Sequence, residues 1–408
     1  MSKLEQLIKE LCPNGVEYKA FREFGTMVRG SGLQKKDFTE EGIGCIHYGQ
    51  IYTYYGTFTS ETKTFVSEEL ANKLKRVNTG DLIIAITSEN VEDVCKCVAW
   101  LGENEIVTGG HAAIFKHNQD PKYLSYCFQT ADFFAQKRKI ANGTKVIEVS
   151  PQKLEQISIP LPPLPVQREI VRILDNFNEL TEELTAKLTA ELTVRKQQYE
   201  YYRSRLLTFS DDVPMIKLED IADFKYGFTD TAKEHGTARF IRITDIGDNG
   251  KLLHGKSKYI DLTTDSEKYL LEKGDLLIAR TGATYGKTML FNEDIPAVYA
   301  SFLIRIRFVK NTVLPSYYWH FAQSSLYWNQ ANKLVSKAGQ QQFNANVLKT
   351  VIIPVPTIHE QHRIIKLLDC FDTHMNDITQ GLLAEIESRK KQYEYYRDKL
   401  LTFKEIQK

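Results

Sequence analysis

Along residues 170–206 a stripe of apolar or large positions runs through Ile170, Ile173, Phe177, Leu180, Leu184, Leu188, Leu192, Tyr199, Tyr202 and Leu206. Counting Arg195 as the one missing step, the intervals are all three or four residues, the period of a single helical face. The spacing predicts one long helix over 165–209, about 68 Å at roughly 1.5 Å per residue. The stripe returns as Ile364, Leu367, Phe371, His374, Ile378, Leu382, Ile386, Tyr393, Tyr396 and Leu400. A helix of that length with one apolar stripe is too long for a small domain to cover. Its natural partner is its own copy, together with a surface from outside the chain.

The stripe is part of a larger repeat. Residues 195–209 (RKQQYEYYRSRLLTF) are written again at 389–403 (RKKQYEYYRDKLLTF), identical at twelve of fifteen positions and offset by 194. Residues 159–177 return at 353–371, and GDLIIAIT at 80–87 returns as GDLLIART at 274–281, with the same offset of 194. The chain is a tandem repeat of a unit about half its length.

Before each helix the pattern reads as a mixed α/β domain. In the first copy a helix is expected over 2–11 and strands over 44–51, 81–87, 94–101 and 111–116, each rich in Ile, Val or aromatics and bounded by Gly, Asn or Asp. A helix over 121–140 follows, with Pro121 at its start, Lys137, Arg138 and Lys139 in its last turn, and 141–144 as its stop. In the second copy 315–335 takes the place of that helix and 338–342 the place of its stop. The fold class expected is α+β, with a domain over 1–158, joint and long helix over 159–210, a second domain over 211–352, and joint and long helix over 353–408. The loops differ freely between copies while the helices are nearly constant, the pattern of two readers with different targets on one frame. The prolines of 160–165 and 354–356 could be ligands for an aromatic groove, but both stand directly before a helix, where a first-turn Pro accounts for them.

Charge removes some options. There are 53 Lys and Arg against 52 Asp and Glu, so any nucleic-acid contact must come from local patches and the chain should not coat DNA indiscriminately. Six scattered cysteines and no signal-peptide core suggest a reducing cytoplasm, and no apolar run is long enough to span a bilayer. Cys95 and Cys97 form a lone C-x-C on an expected strand, best read as reduced packing residues. Histidines 47, 111, 117, 235, 254, 320, 359, 362 and 374 form no metal set at usable spacing. Gly282–Lys287 misses the phosphate-loop spacing by one residue, and Pro162-Pro163 lacks the Asn/Asp-Pro-Pro-aromatic motif of amino-methyltransferases.

The two joints with their Pro-Leu-Pro, QRE and EQH signatures, the ILDNF and LLDCF helix starts, and the doubled RKxQYEYYR resemble the specificity subunit of type I restriction-modification enzymes. Residues 180–192 (LTEELTAKLTAEL) look like the TAEL-type four-residue repeat of one branch of that family. The resemblance covers the whole chain and is specific for the helices, less so for the domains. It implies two target-recognition domains, each reading half of an interrupted double-stranded DNA sequence, and two long helices packed as an antiparallel coiled coil that fix the spacing. It also implies partners: two methyltransferase subunits on the helices and restriction/translocase subunits beyond them, carrying S-adenosylmethionine, ATP and Mg. This chain would recognise and not catalyse, with no cofactor or metal of its own. One added four-residue block would move a helix end by about 6 Å and turn it by about 40°, and readers on one face of DNA prefer separations near about 34–36 Å.

Base reading needs Arg, Lys, Asn, Gln or Ser/Thr on strand ends and loops, and backbone anchoring needs cations and small polar groups. In the first domain the candidates are Arg29, Ser31, Gln34, Lys35 and Lys36, then Tyr48 and Gln50 at a strand end, Thr87 and Ser88, and Asn142, Thr144 and Lys145. In the second they are Lys225, Tyr226 and Thr229, Arg242 and Thr244, Arg280, Thr281, Tyr285 and Lys287, and Lys337 with Gln340, Gln341 and Gln342. For each the plainer reading is a solvated loop residue. Of the helix tyrosines, Tyr199, Tyr202, Tyr393 and Tyr396 lie on the stripe, while Tyr201 and Tyr395 point away from it. Together they are the candidate docking face for another subunit. The competing class is a scaffold whose variable domains bind proteins or glycans.

Overall fold

The computed structural model describes residues 2–309, 311–335 and 343–406. The chain divides into two compact units, Met1–Lys187 with Ala384–Lys408, and Leu188–Leu383. Each unit holds one α/β domain, the nearer part of the helix that follows or precedes it, and part of the other long helix. Those helices are Leu164–Leu206 and Ile358–Leu400, 43 residues each, about 65 Å at roughly 1.5 Å per residue.

In the first unit a five-stranded sheet carries the strand Ala112–His117 between Gly25–Arg29 and Leu82–Ala85, both antiparallel to it. A four-stranded sheet centres on Ile43–Ile46, parallel to Ile106–Thr108. The core under the larger sheet is aromatic: Phe21 packs on Phe115 and Phe128 at 5.1 Å each. Ser2 caps the first helix, Lys3–Leu11, in a capping box with Glu5. From the far end of the chain, Val16 N–H donates to Lys404 O at 2.8 Å and Phe403 O accepts from Tyr18 Oη at 3.2 Å.

The second unit repeats the frame with fewer strands among the described residues. Leu303–Phe308 lies between Ala222–Tyr226 and Leu276–Ala279 in a four-stranded sheet, and Ala238–Ile241 is parallel to Ala297–Tyr299 in a three-stranded one. Gly80 and Gly274 open the equivalent strands at φ +92°, a left-handed conformation that a side chain would strain.

Each joint is a short strand followed by a lock. Ser158–Pro160 pairs with Tyr18–Ala20, and Ile352–Pro354 with Met215–Lys217. Behind the first, the fully buried Gln167 amide donates to Pro162 O (2.7 Å) and Gln119 Oε1 (2.9 Å), and its oxygen accepts from Asp120 N–H (3.1 Å). Gln361 does the same with Pro356 O (2.9 Å), Thr312 O (2.8 Å) and Leu314 N–H (2.9 Å). The glutamine shared by QRE and EQH is therefore a structural clamp between joint and domain.

Within each unit the helix segments run antiparallel. Phe177 packs on Tyr396 in the first (5.7 Å) and Phe371 on Tyr202 in the second (6.0 Å), the same two repeat positions with roles exchanged. The stripe is less deeply buried than expected: Leu180 is 64% exposed, and Arg203, over the Tyr199 ring at 4.2 Å, is more buried than Tyr202.

Four local expectations change. The strand over 44–51 stops at Ile46, because His47 Nδ1 accepts Gly49 N–H (3.2 Å) and caps a helix, Tyr48–Thr53. The helix over 121–140 is two helices, Pro121–Cys127 and Ala131–Ile140, since the Thr130 side chain caps the second. Ser324 likewise splits the equivalent region into Pro315–Ala322 and Ser325–Leu334. The strand over 94–101 begins at Cys97; Cys95 sits in the preceding turn at φ +65°, and burial pushes both thiols up to about 12.

Candidate nucleic-acid interface

Three adjacent strands of each larger sheet, the edge strand and the two beside it, end together, and what stands on those ends differs between the units. In the first, Arg29 closes Gly25–Arg29 in register with Ala113, and Ala85 lies opposite Ala112. In the second, Tyr226 closes Ala222–Tyr226 opposite Ile304, and Ala279 lies opposite Leu303. Ala112 and Leu303 are thus equivalent, which makes Arg29 match Tyr226, Ile86 match Arg280, and His111 match Phe302. Both strand ends need glycine next: a Cβ on Gly30 would meet Gly109 O at 2.1 Å, and one on Gly227 would meet Ala300 O at 2.2 Å.

The first unit gathers a polar cluster there. Arg29 donates from Nε to Gly110 O (3.2 Å) and pairs with Glu148 (3.0 Å). Thr87 Oγ1 and His111 Nδ1 are 3.0 Å apart, and the Tyr48 ring lies 4.9 Å from His111 and 4.5 Å from His47. Thr87–Ser88 pairs with Ile147–Glu148, which in turn bonds Asn142 through the backbone. Arg29, Tyr48, Thr87, Ser88 and Asn142 are therefore brought together, with Thr144 and Lys145 exposed on the adjoining loop. Gln34, Lys35 and Lys36 are exposed around the single turn Lys35–Asp37, and Ser31 Oγ donates to Lys73 O at 3.3 Å. Gln50 lies in a helix rather than at a strand end, and its amide is spent on His47 N–H (2.9 Å) and Thr64 Oγ1 (3.0 Å). Burial, then Lys35 and His111, lowers the His47 imidazole below its usual value. Sequence reading missed His47, His111 and Glu148, whose proximity depends on strand register that no local pattern reveals.

The second unit places an Arg and two rings on its strand ends. Arg280 Nε donates to Ser301 O at 3.0 Å, the carbonyl matching Gly110 O, and its guanidinium lies 5.2 Å from the Tyr226 centroid and 5.6 Å from Phe302. Thr281 is buried beside it, and Tyr285 Oη donates to Asn332 Oδ1 (2.7 Å) with its ring edge-on to Trp328. Other candidates are already engaged. Lys225 donates to Lys268 O (2.6 Å) over the Tyr269 ring, and burial, then Arg305, lowers its pKa. Arg242 is paired with Asp245 (3.1 Å), and Lys287 with Asp248. Thr229 and Thr244 are exposed. Lys337, Gln340, Gln341 and Gln342 lie outside the described residues. Phe302, half exposed at 51%, was missed because it carries no hydrogen-bonding group.

The model of the type I restriction modification DNA specificity domain matches residues 13–194 and 210–388. The chain belongs to that family. A putative type I restriction enzyme specificity subunit of Haemophilus influenzae is 38% identical over 268 residues, 64% of this chain and 68% of the relative. The EcoR124I/EcoR124II specificity subunit of Escherichia coli is 34% identical over 274 residues, 62% of this chain and 65% of that one, so the match spans about two thirds of either relative. A chain from a solved type I R-M system superposes with TM-score 0.75 at 17% identity, covering 96% of this chain and 98% of that one. The HsdS subunit of Thermoanaerobacter tengcongensis gives 0.53 at 17%, covering 96% and 97%. These last two likenesses concern the fold. Membership makes this chain a DNA-recognition component of a type I system, working with other subunits of that system. Among the described residues no group of three His, Cys, Asp or Glu is placed to hold a metal, and no helix is long and apolar enough to cross a membrane.

The helix tyrosines divide by exposure. Tyr201 and Tyr395 are 59% and 62% exposed, while Tyr202 and Tyr396 pack on Phe371 and Phe177. Tyr199 and Tyr393 are half-buried beneath Arg203 and Arg397.

Proposed function

We propose that each α/β domain reads one half of a bipartite double-stranded DNA target, through the side chains on the ends of these three adjacent strands and the loops beside them. The observation that carries this is the exchange of Arg29, Ile86 and His111 for Tyr226, Arg280 and Phe302 on otherwise matching backbone. A repeated frame with changed tips is what two different half-sites require. The long helices set the spacer and dock two methyltransferase subunits, with Tyr201 and Tyr395 in the docking faces. Restriction/translocase subunits join that core, and S-adenosylmethionine, ATP and Mg act on those partners.

The test is co-expression with the neighbouring genes' products, purification through this chain, and sequencing of host DNA for modified adenine. A bipartite modified motif that disappears when the gene is deleted is the expected outcome. If no methyltransferase copurifies and modification is unchanged, the two domains serve a protein- or glycan-binding scaffold instead.

A further inference from the structure

Arg280 is held in an unusual way. Its Nε is fixed to Ser301 O at 3.0 Å, its backbone N–H donates to Phe302 O at 3.1 Å, and its own carbonyl accepts from Phe343 N–H at 2.7 Å. The Tyr226 ring under its guanidinium is anchored through its hydroxyl to Ala345 N–H at 3.0 Å. Phe302 stands beside it at 5.6 Å, half exposed. Backbone, Nε and ring contacts together leave the guanidinium little freedom to swing. Among the described residues no acceptor takes its two terminal nitrogens, whereas the matching carbonyl in the first unit is bonded by Arg29, whose terminal nitrogen pairs with Glu148 at 3.0 Å.

A rigid planar fork with two parallel donors fits two acceptors side by side, and among base edges in the major groove that pair is O6 and N7 of guanine. We propose that Arg280 reads a guanine in the half-site of the second domain, with Tyr226 and Phe302 as positioning residues that hold its fork. This rests on the DNA reading above and adds a base to it. A phosphate also offers two oxygens to such a fork, so the experiment must separate base from backbone.

The experiment is modified-adenine sequencing of the purified complex carrying the wild-type chain, Arg280→Ala or Arg280→Lys. A chimera with residues 211–352 exchanged for those of a relative identifies which half belongs to the second domain. We expect a fixed G·C pair in that half, and a relaxation of at least about tenfold at that pair alone in Arg280→Ala. Arg280→Lys keeps the charge and loses the fork, so it should relax equally, and the other half should keep its sequence in both variants. A uniform fall in modification with no change of motif would assign Arg280 to a phosphate and overturn the proposal; a wild-type motif kept by Lys would overturn the rigid fork as the reading element, since an ammonium can also serve guanine O6 and N7. A second-domain half without any G·C pair overturns the guanine assignment while leaving the DNA reading intact. A wild-type complex with no bipartite motif would remove both.

Discussion

The two units solve the same packing problem with the same residues and then diverge within a few ångströms. Tyr123 Oη donates to Pro160 O at 2.9 Å, and Tyr317 Oη to Pro354 O at 3.0 Å. One helical turn along, Tyr126 donates to Asp175 Oδ1 at 2.7 Å in the first unit, while His320 Nε2 meets Asp369 Oδ1 at 2.8 Å in the second. On the strand ends the alanine, the buried threonine, the glycine and the carbonyl that accepts an arginine are kept, while Arg29, Ile86 and His111 give way to Tyr226, Arg280 and Phe302. Residues that hold the frame are constrained by buried backbone groups, which tolerate few substitutes. Those on the tips answer to something outside the chain.

The largest effect separating frame from tip should come from the buried amides. Gln167→Ala leaves Asp120 N–H and Pro162 O without their partner and should destabilise the first unit by about 3 kcal/mol. Gln361→Ala should do the same to the second. Hydrogen exchange resolved by unit reads this out, and equal loss of protection in both units from either variant would show that they do not open separately. Smaller, and matched between units, should be Phe177→Ala and Phe371→Ala, about 1–2 kcal/mol each in chemical denaturation because each removes one ring pair.

A pH difference should follow from Glu169, a residue whose counterpart in the second unit is Arg363. Arg172, then Lys3, holds its carboxyl down at about 2. A depressed folded value means the stabilisation is complete above the unfolded carboxylate value, about 4.3, and drains away as pH falls toward 2. Glu169→Gln should flatten the melting temperature of the first unit across that window and leave the second unchanged. The smallest effect on folding belongs to Tyr201→Ala and Tyr395→Ala, below about 0.5 kcal/mol. Copurification of the methyltransferase should fall in the same variants; undiminished recovery would move the docking face elsewhere.

The frame was legible because it is written twice and because a 3.6-residue stripe survives in any long helix. Breaks inside it were less so. Thr130 and Ser324 each interrupt an apolar pattern that continues across them, and only the cap geometry shows where one helix ends. Of the interface, the cations and the shared strand 80–87 stood out by type. His111, Glu148 and Phe302 did not, since their role comes from strands that meet across some 25 to 120 residues of sequence, such as Arg29 opposite Ala113. Arg242 and Gln50 show the converse: side chains of the right chemistry already consumed by Asp245 and His47.

The pairing of Val16 with Glu405 and the hydrogen bond from Ala131 N–H to Asp398 Oδ2 at 3.1 Å tie the start of the chain to residues made after all of 188–383. During synthesis the second unit, continuous in sequence, can close as soon as it leaves the ribosome. The first waits, its helix end and strand edge uncovered, for residues 384–406 to return. Its long loop closure makes it the slower of the two to mature, so a stalled or truncated product would carry a finished second reader and an unfinished first one.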